Sequence, residues 1–233
     1  MEKIAILSNE YDGGWENDMD LKGVIFDLDG TLLDSLPVCY SCFRNTLKHY
    51  VDRDFSDSEI RAMFGPSEEG IFKKLLPDSW EDCLRFYLEQ YDKAHSEYDR
   101  PFPGIKDALE LLRERKVRLA IVSGKGPKSM EISLRHSGLG KFFEVVVTGS
   151  EHGANKIYDT NQVLKRWGLS PDSVAYVGDM AYDISAAKEA GVFAIAAAWA
   201  GTAEFEKLKA MKPSLICPDV ETLIEWIKEG GNL

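Results

Sequence analysis

This sequence predicts an α/β fold, a parallel sheet interrupted once by a block of helices, and three observations carry that prediction. The run Val24-Ile25-Phe26 is apolar, largely β-branched and too short for a buried helix, so it reads as a buried strand. From residue 105 onward, short apolar runs alternate with stretches of helical spacing, the rhythm of parallel strands joined by right-handed crossover helices and covered on both faces. Between these parts, residues 36–100 lose the alternation and keep helical spacing alone.

The length of 233 residues suits one large domain or a core with a modest insertion, and 44% hydrophobic with 29% charged residues is ordinary for a soluble globular chain. A net charge of -11 argues against nucleic acid or an anionic membrane as a partner. An anionic ligand must then be drawn in by a local cluster, a metal or helix N-termini. Four cysteines, Cys39, Cys42, Cys83 and Cys217, are too scattered for a disulfide framework, and the Cys39/Cys42 pair lies in a helical stretch without a second ligand pair, so all read as reduced thiols. The four histidines show no metal spacing. No run approaches the ~18 apolar residues of a membrane span, and no basic stretch followed by an apolar core opens the chain. The expectation is a cytoplasmic protein.

Taken in order, residues 1–20 read as a peripheral extension: Ile4-Ala5-Ile6-Leu7 and then a polar, glycine-bearing linker, arising from an early start codon or forming a genuine edge strand. The core begins at residues 21–35 with the strand that ends at Asp27. A helical insertion fills residues 36–100, with apolar spacing at Phe43, Leu47 and Tyr50, at Ile60, Met63 and Phe64, at Ile71, Leu75 and Leu76, and at Leu84, Leu88 and Tyr91. Its breaks fall at residues 52–57, 65–66 and 77–79, where Asp78 or Ser79 is placed to cap the next helix. Arg100-Pro101-Phe102-Pro103-Gly104 reads as the hinge back to the core, which takes in residues 101–233. There Ile105, Ala108, Leu109 and Leu112 form a helix face, followed by a strand at 117–122, a helix at 128–136, a strand at 145–148 and a helix at 158–167. A strand at 174–177, a helix at 181–190 closed by Gly191, a strand at 192–197, a short strand at 215–216 and a helix at 220–228 complete the chain.

In such sheets ligands bind beyond the carboxyl ends of the strands, so the residues just after each strand should make chemical sense together. After the first come Asp27 and Asp29, two residues apart on an extended backbone and able to converge, which calls for a hard divalent cation or a shared proton between them. Gly30 permits a sharp turn and Thr31 offers a hydroxyl. After the second come Ser123 and Gly124, suited to hold phosphate oxygens through a hydroxyl and backbone N–H groups. After the third comes Lys156 at a helix start, where a cation opposes the helix dipole unless something anionic faces it, with Lys125 as the rival cation. After the fourth come Asp179 and Asp183, spaced to share one face of a helix start.

Asp27-Leu28-Asp29-Gly30-Thr31-Leu32 resembles the first signature of the haloacid dehalogenase superfamily, and Ser123, Lys156 and the Gly178-Asp179 to Asp183 segment resemble the second, third and fourth in the same order. The proline that follows the lysine in many phosphatase members is Ile157 here. The resemblance implies a Rossmann-like core with an inserted helical cap, and its cap placement is similar to that of phosphoglycolate phosphatases and their relatives. It further implies a phosphomonoester hydrolase of a small phosphorylated metabolite, monomeric or homodimeric, with Asp27 as nucleophile and Asp29 as general acid and base. Ser123 and Lys156 would hold the phosphoryl group, Thr31 and Gly124 would contact substrate, and Mg²⁺ would be held by Asp27, the Asp29 carbonyl and Asp179 with Asp183 in support. Gly65 and Pro66 resemble the cap segment that dips toward the site. An acid at position 29 separates the chain from dehalogenases and phosphonatases, which lack it. A phosphosugar mutase and a catalytically silent phospho-ligand binder remain the alternatives.

Overall fold

The computed structural model describes residues 20–98 and 101–231, so the extension expected at residues 1–20 lies, but for Asp20, outside the described residues, as does Arg100. Six parallel strands make one sheet: β1 (Gly23–Phe26), β2 (Arg118–Val122), β3 (Val145–Val147), β4 (Val174–Gly178), β5 (Phe193–Ala197) and β6 (Leu215–Cys217), in the order β3-β2-β1-β4-β5-β6. Strand β1 lies at the centre, with Phe26 opposite Ile121 of β2 and Val177 of β4. Its four residues are all buried, as expected for a strand covered on both faces.

Alternation assigns each strand residue to one of two layers. Val24, Phe26, Leu119, Ile121, Ala175, Val177 and Ile195 pack under α5 (Ile105–Glu114) and α10 (Val220–Lys228), through Ile105, Leu109, Leu112, Leu223 and Ile227. Ile25, Ala120, Val122, Val174, Tyr176 and Ala194 face the opposite side, against Val163, Leu164 and Trp167 of α7 (Lys156–Trp167) and Ile184 and Ala187 of α8 (Ala181–Glu189). Local chemistry fixes helix ends: Asn155 accepts the Tyr158 N–H to start α7, and Asp219 accepts the Thr222 N–H to start α10. A short α9 (Phe205–Ala210) crosses between β5 and β6 and buries only Leu208, so it has no periodic signature of its own.

The helices α1 (Leu36–Val51), α2 (Asp57–Arg61), α3 (Glu68–Leu75) and α4 (Trp80–Tyr98) pack around a separate apolar cluster. Aromatic rings dominate it: Phe43 meets Tyr87 at 4.7 Å and Phe72 at 5.4 Å between centroids, and Tyr87 stacks on Tyr91 at 5.4 Å. The chain leaves the sheet and returns to it side by side, because Leu33 bridges Pro101 and Leu32 accepts the Phe102 N–H at 3.2 Å. A seam joins the helices to α6 (Pro127–Ser137), where Ile132 packs on the cluster and the Tyr91 and Ser133 hydroxyls lie 3.0 Å apart. No helix among the described residues is long and apolar enough to cross a membrane.

Because β1 presents Ile25, fully buried, to the layer formed by α7 and α8, Ile25→Ala is expected to destabilise the protein by about 2–5 kcal/mol. Denaturant unfolding at constant slope checks this, and a loss below about 1 kcal/mol would contradict the packing described.

Candidate active site

The chain beyond β1 keeps to the sheet for one more residue, since the Asp27 N–H donates to the Val177 carbonyl at 2.9 Å, and then coils over residues 28–33 around the Leu28 carbonyl. Gly30 is required twice in that coil. Its φ is +79°, and a Cβ there would stand 2.4 Å from Asp179 Oδ2.

Three carboxylates and one lysine meet beneath this coil. Asp27 Oδ1 accepts the Leu28 N–H at 2.7 Å and its Oδ2 accepts from Lys156 Nζ at 2.7 Å. Lys156, first residue of α7, also donates to Asp183 Oδ1 at 2.5 Å, so the cation that opposes its own helix dipole is held by two acids. Asp183, in the first turn of α8, accepts the Met180 N–H at 2.9 Å with its other oxygen. Asp179 Oδ1 accepts from the Thr31 hydroxyl at 3.1 Å, while its Oδ2 is buried with no hydrogen-bond partner among the described residues. One oxygen from each of Asp27, Asp179 and Asp183 lies within 4.8 Å of the others. Burial, then the charges of Asp183 and Asp27, raise the Asp179 pKa well above the carboxylate range; burial also raises that of Asp183, against Lys156. Lys156 is buried, which opposes its charge, yet Asp183 and Asp27 hold its ammonium well above the ordinary range.

Asp29 stands outside that group. Its Oδ1 accepts from the Ser35 hydroxyl at 2.5 Å, and Lys125 Nζ lies 3.3 and 3.1 Å from its two oxygens. Lys125 is buried against the Tyr91 ring at 4.4 Å, and although burial opposes its charge, Asp29, Cys39, Tyr87 and Glu68 raise its pKa well above normal. Cys39 Sγ is 4.0 Å from Asp29 Oδ1, and burial pushes this thiol up to about 12. The two lysines offered by the sequence thus sit on different acids, Lys156 on Asp27 and Lys125 on Asp29.

A cavity of about 520 Å³ opens above both acid groups. Asp27, Asp29, Ser123, Gly124, Lys156 and Asp179 line its sheet side, and Tyr40, Phe43, Arg61, Phe64, Gly65 and Pro66 line its helical side. Asp183 and Thr31 do not line it: both are fully buried, Asp183 behind Lys156 and Thr31 with its hydroxyl on Asp179. Ser35, Glu68 and Tyr176 were not singled out by sequence. Ser35 holds Asp29, Glu68 is buried beside Lys125 at 3.9 Å, and Tyr176 donates to the Val122 carbonyl at 2.8 Å. A signal existed for Tyr176 alone, a hydroxyl inside an otherwise apolar strand.

A family model described as haloacid dehalogenase-like hydrolase matches residues 24–197. The pyrophosphatase PpaX of Oceanobacillus iheyensis is 29% identical over 208 residues, covering 88% of this chain and 96% of that protein. The pyrophosphatase PpaX of Bacillus pumilus is 30% identical over 214 residues, covering 89% and 97%. The crystal structure of a predicted phosphoglycolate phosphatase from Haemophilus somnus has the same fold, with a TM-score of 0.77 at 21% identity over 91% of this chain and 100% of that one.

Lys156 is the shared counter-charge of Asp27 and Asp183, so Lys156→Met is expected to cost about 3–5 kcal/mol near neutral pH. Burial raises the Asp183 and Asp179 pKa values above those of the unfolded chain while Lys156 opposes that rise, so without it the folded state binds more protons and the deficit shrinks as pH falls from about 7 to about 5. Denaturant unfolding at both pH values checks the sign; an equal deficit at both would mean that the acids do not depend on this cation.

Proposed function

The chain belongs to the haloacid dehalogenase-like hydrolase family, and from that premise we propose that it hydrolyses small phosphomonoesters through a phosphorylated Asp27. The observation that carries the reading is the division between two acids on one short coil. Asp27 lies in the acid cluster with Lys156, whereas Asp29 is held apart by Ser35 and Lys125, and both line one cavity. A nucleophile and a proton carrier need that separation, because the first must stay a bare carboxylate while the second gives and takes a proton.

In the proposed first step a carboxylate oxygen of Asp27 forms a bond to phosphorus in line with the departing oxygen. The bond from phosphorus to that oxygen breaks, and the leaving alkoxide takes a proton from Asp29. In the second step Asp29 takes a proton from a water that attacks phosphorus, and the Asp27 carboxylate is released. Ser123, the backbone at Gly124, and Lys156 line the sheet side of the cavity and are the groups assigned to the phosphoryl oxygens. The helices α1 to α4 act as a cap: they line one side of the cavity, with Gly65 and Pro66 assigned to face the leaving group. Thr31 is assigned to positioning Asp179 rather than to touching substrate.

The residues fit a divalent cation. Asp179 Oδ2 is buried without a hydrogen-bond partner among the described residues, and Asp27, Asp179 and Asp183 form an all-oxygen set of the kind that suits a hard ion such as Mg²⁺. Asp27, Asp179 and the Asp29 carbonyl, supported by Asp183, are the assigned ligands, and the ion would neutralise the carboxylates that otherwise repel a phosphate dianion.

Inorganic phosphate release from a panel of phosphomonoesters with Mg²⁺ tests the reading, and pyrophosphate belongs in the panel because the curated relatives are named for it. Asp27→Asn is expected to abolish turnover and Asp29→Ala to lower it about 100- to 10,000-fold. Turnover by Asp27→Asn at the wild-type rate would sink the mechanism, and interconversion of β-glucose 1-phosphate without phosphate loss would replace it with the mutase. Apart from activity, Mg²⁺ at about a hundred times its dissociation constant is expected to stabilise chelator-treated protein by about 2.7 kcal/mol, and Asp179→Asn to lose most of that gain. Thermal melts with and without the ion decide this, and an equal gain in the variant would remove Asp179 from the ligand set.

A further inference from the structure

The lysine and arginine side chains that line the cavity are already engaged. Lys156 is shared by Asp27 and Asp183; Lys125 lies on both oxygens of Asp29. Arg61 pairs with Glu204 at 3.3 Å and donates to the Thr202 carbonyl at 3.3 Å. A substrate carrying a second anionic group, besides its phosphoryl group, would enter with no uncommitted lysine or arginine there to meet it.

Among the described residues that border the cavity, the start of α6, two residues beyond Ser123 and Gly124, offers a place for such a group. Its donors are the Gly126 N–H, the Ser129 hydroxyl and the Lys125 ammonium, at the positive end of an 11-residue helix. Glu68 holds all of them. From the first turn of α3, its Oε2 accepts the Gly126 N–H at 2.8 Å, and its Oε1 accepts from Ser129 Oγ at 2.6 Å and lies 3.9 Å from Lys125 Nζ. Glu68 is 7% exposed, and the opposing position is shaped to it, since a Cβ on Gly126 would stand 2.3 Å from Glu68 Oε2. A glutamate on a helix would ordinarily face water; this one is buried in a seat made by Lys125, Gly126 and Ser129, far from it in sequence.

We propose that Glu68 is a specificity-determining residue: it fills the anion-binding start of α6 with the chain's own carboxylate and directs the cavity to phosphomonoesters whose leaving group carries no charge. This rests on the phosphomonoester reading above and names the substrate class for it. A second carboxylate or phosphoryl group placed there meets Glu68 and finds Lys125 committed to Asp29. Uncharged polyol or sugar leaving groups meet no such opposition between the wall of Tyr40, Phe43 and Phe64 and the acids below.

Glycerol 3-phosphate and 3-phosphoglycerate differ by a hydroxymethyl group in place of a carboxylate and make the matched pair. Wild-type kcat/KM is expected to favour glycerol 3-phosphate by roughly tenfold or more, and Glu68→Gln, which keeps a carbonyl acceptor and removes the charge, to shrink that preference by about tenfold. A residue with only a structural role would lower both substrates together and leave the ratio alone. Wild type handling 3-phosphoglycerate as well as or better than its partner, or a folded Glu68→Gln with the wild-type ratio, overturns the proposal. Should Glu68→Gln fail to fold by circular dichroism, the wild-type ratio alone decides. Wild type that cleaves neither these nor any other phosphomonoester overturns the hydrolase reading itself, and this proposal with it.

Discussion

The ion pairs that Lys156 makes with Asp27 and Asp183 are the interactions on which the rest of the site depends. Three carboxylates stand at the buried end of a sheet, and a carboxylate removed from water is costly unless it is paired and hydrogen-bonded. One cation shared by two of them, a hydroxyl on the third and backbone N–H groups from Leu28 and Met180 leave a single oxygen, Asp179 Oδ2, without a partner among the described residues. That remainder is the physical argument for a divalent ion. The fold makes the arrangement possible because β1 lies between β2 and β4, so coils that are far apart in sequence start from one edge of the sheet.

The helical unit adds a second layer of charge pairing on the same edge. Ser67 donates its N–H to the Ser150 carbonyl at 2.8 Å, the Ala154 N–H reaches the Gly65 carbonyl at 3.0 Å, and Lys73 pairs with Glu151. On the other flank Arg61 reaches the loop beyond β5. Gly65 and Ser67 lie between α2 and α3, and Arg61 and Lys73 reach out from those helices, so this edge of the seam is polar, while Ile132 carries the apolar contact at α6. The exposed part of that polar edge costs little to return to water, unlike the aromatic cluster of Phe43, Phe72 and Tyr87.

Much of this was legible in the sequence where the signal is local. Val24-Ile25-Phe26 reads as a buried strand because every residue is apolar, and the acids that follow fall at its end whatever the tertiary structure. The strands and the longer helices of the sheet region show the same local marks, and the observed bounds differ from the reading by a residue or two. Helix α9 was not legible, since six residues with one buried leucine have no period. Nor was the pairing of lysines to acids. Lys125 and Lys156 both follow strands, and which acid each meets depends on the path of the chain after it: Lys156 opens a helix over Asp27, while Lys125 turns back under Tyr91 toward Asp29. Thr31 reads as a hydroxyl beside the acids, but only the course of β4 shows that Asp179 takes it.

Glu68 marks the limit of such reading. On a helical wheel it is one of two adjacent glutamates in a first turn, where acids are favoured by the dipole and are usually solvated. Glu69 keeps that ordinary role and pairs with Lys73 on its own helix. Glu68 differs because the facing residue, Gly126, has no side chain, and Ser129 follows one turn later with a hydroxyl to give. The two halves of this contact lie in different units of the fold, and each alone is unremarkable. Only when the helices sit on the sheet does a chain of alternating charge run from Glu68 through Lys125 to Asp29. In a protein of net charge -11 an incoming phosphate gains nothing from the overall field. Its reception falls to local groups beside Lys156, and on the proposed reading the seating of one glutamate decides which leaving group can accompany it.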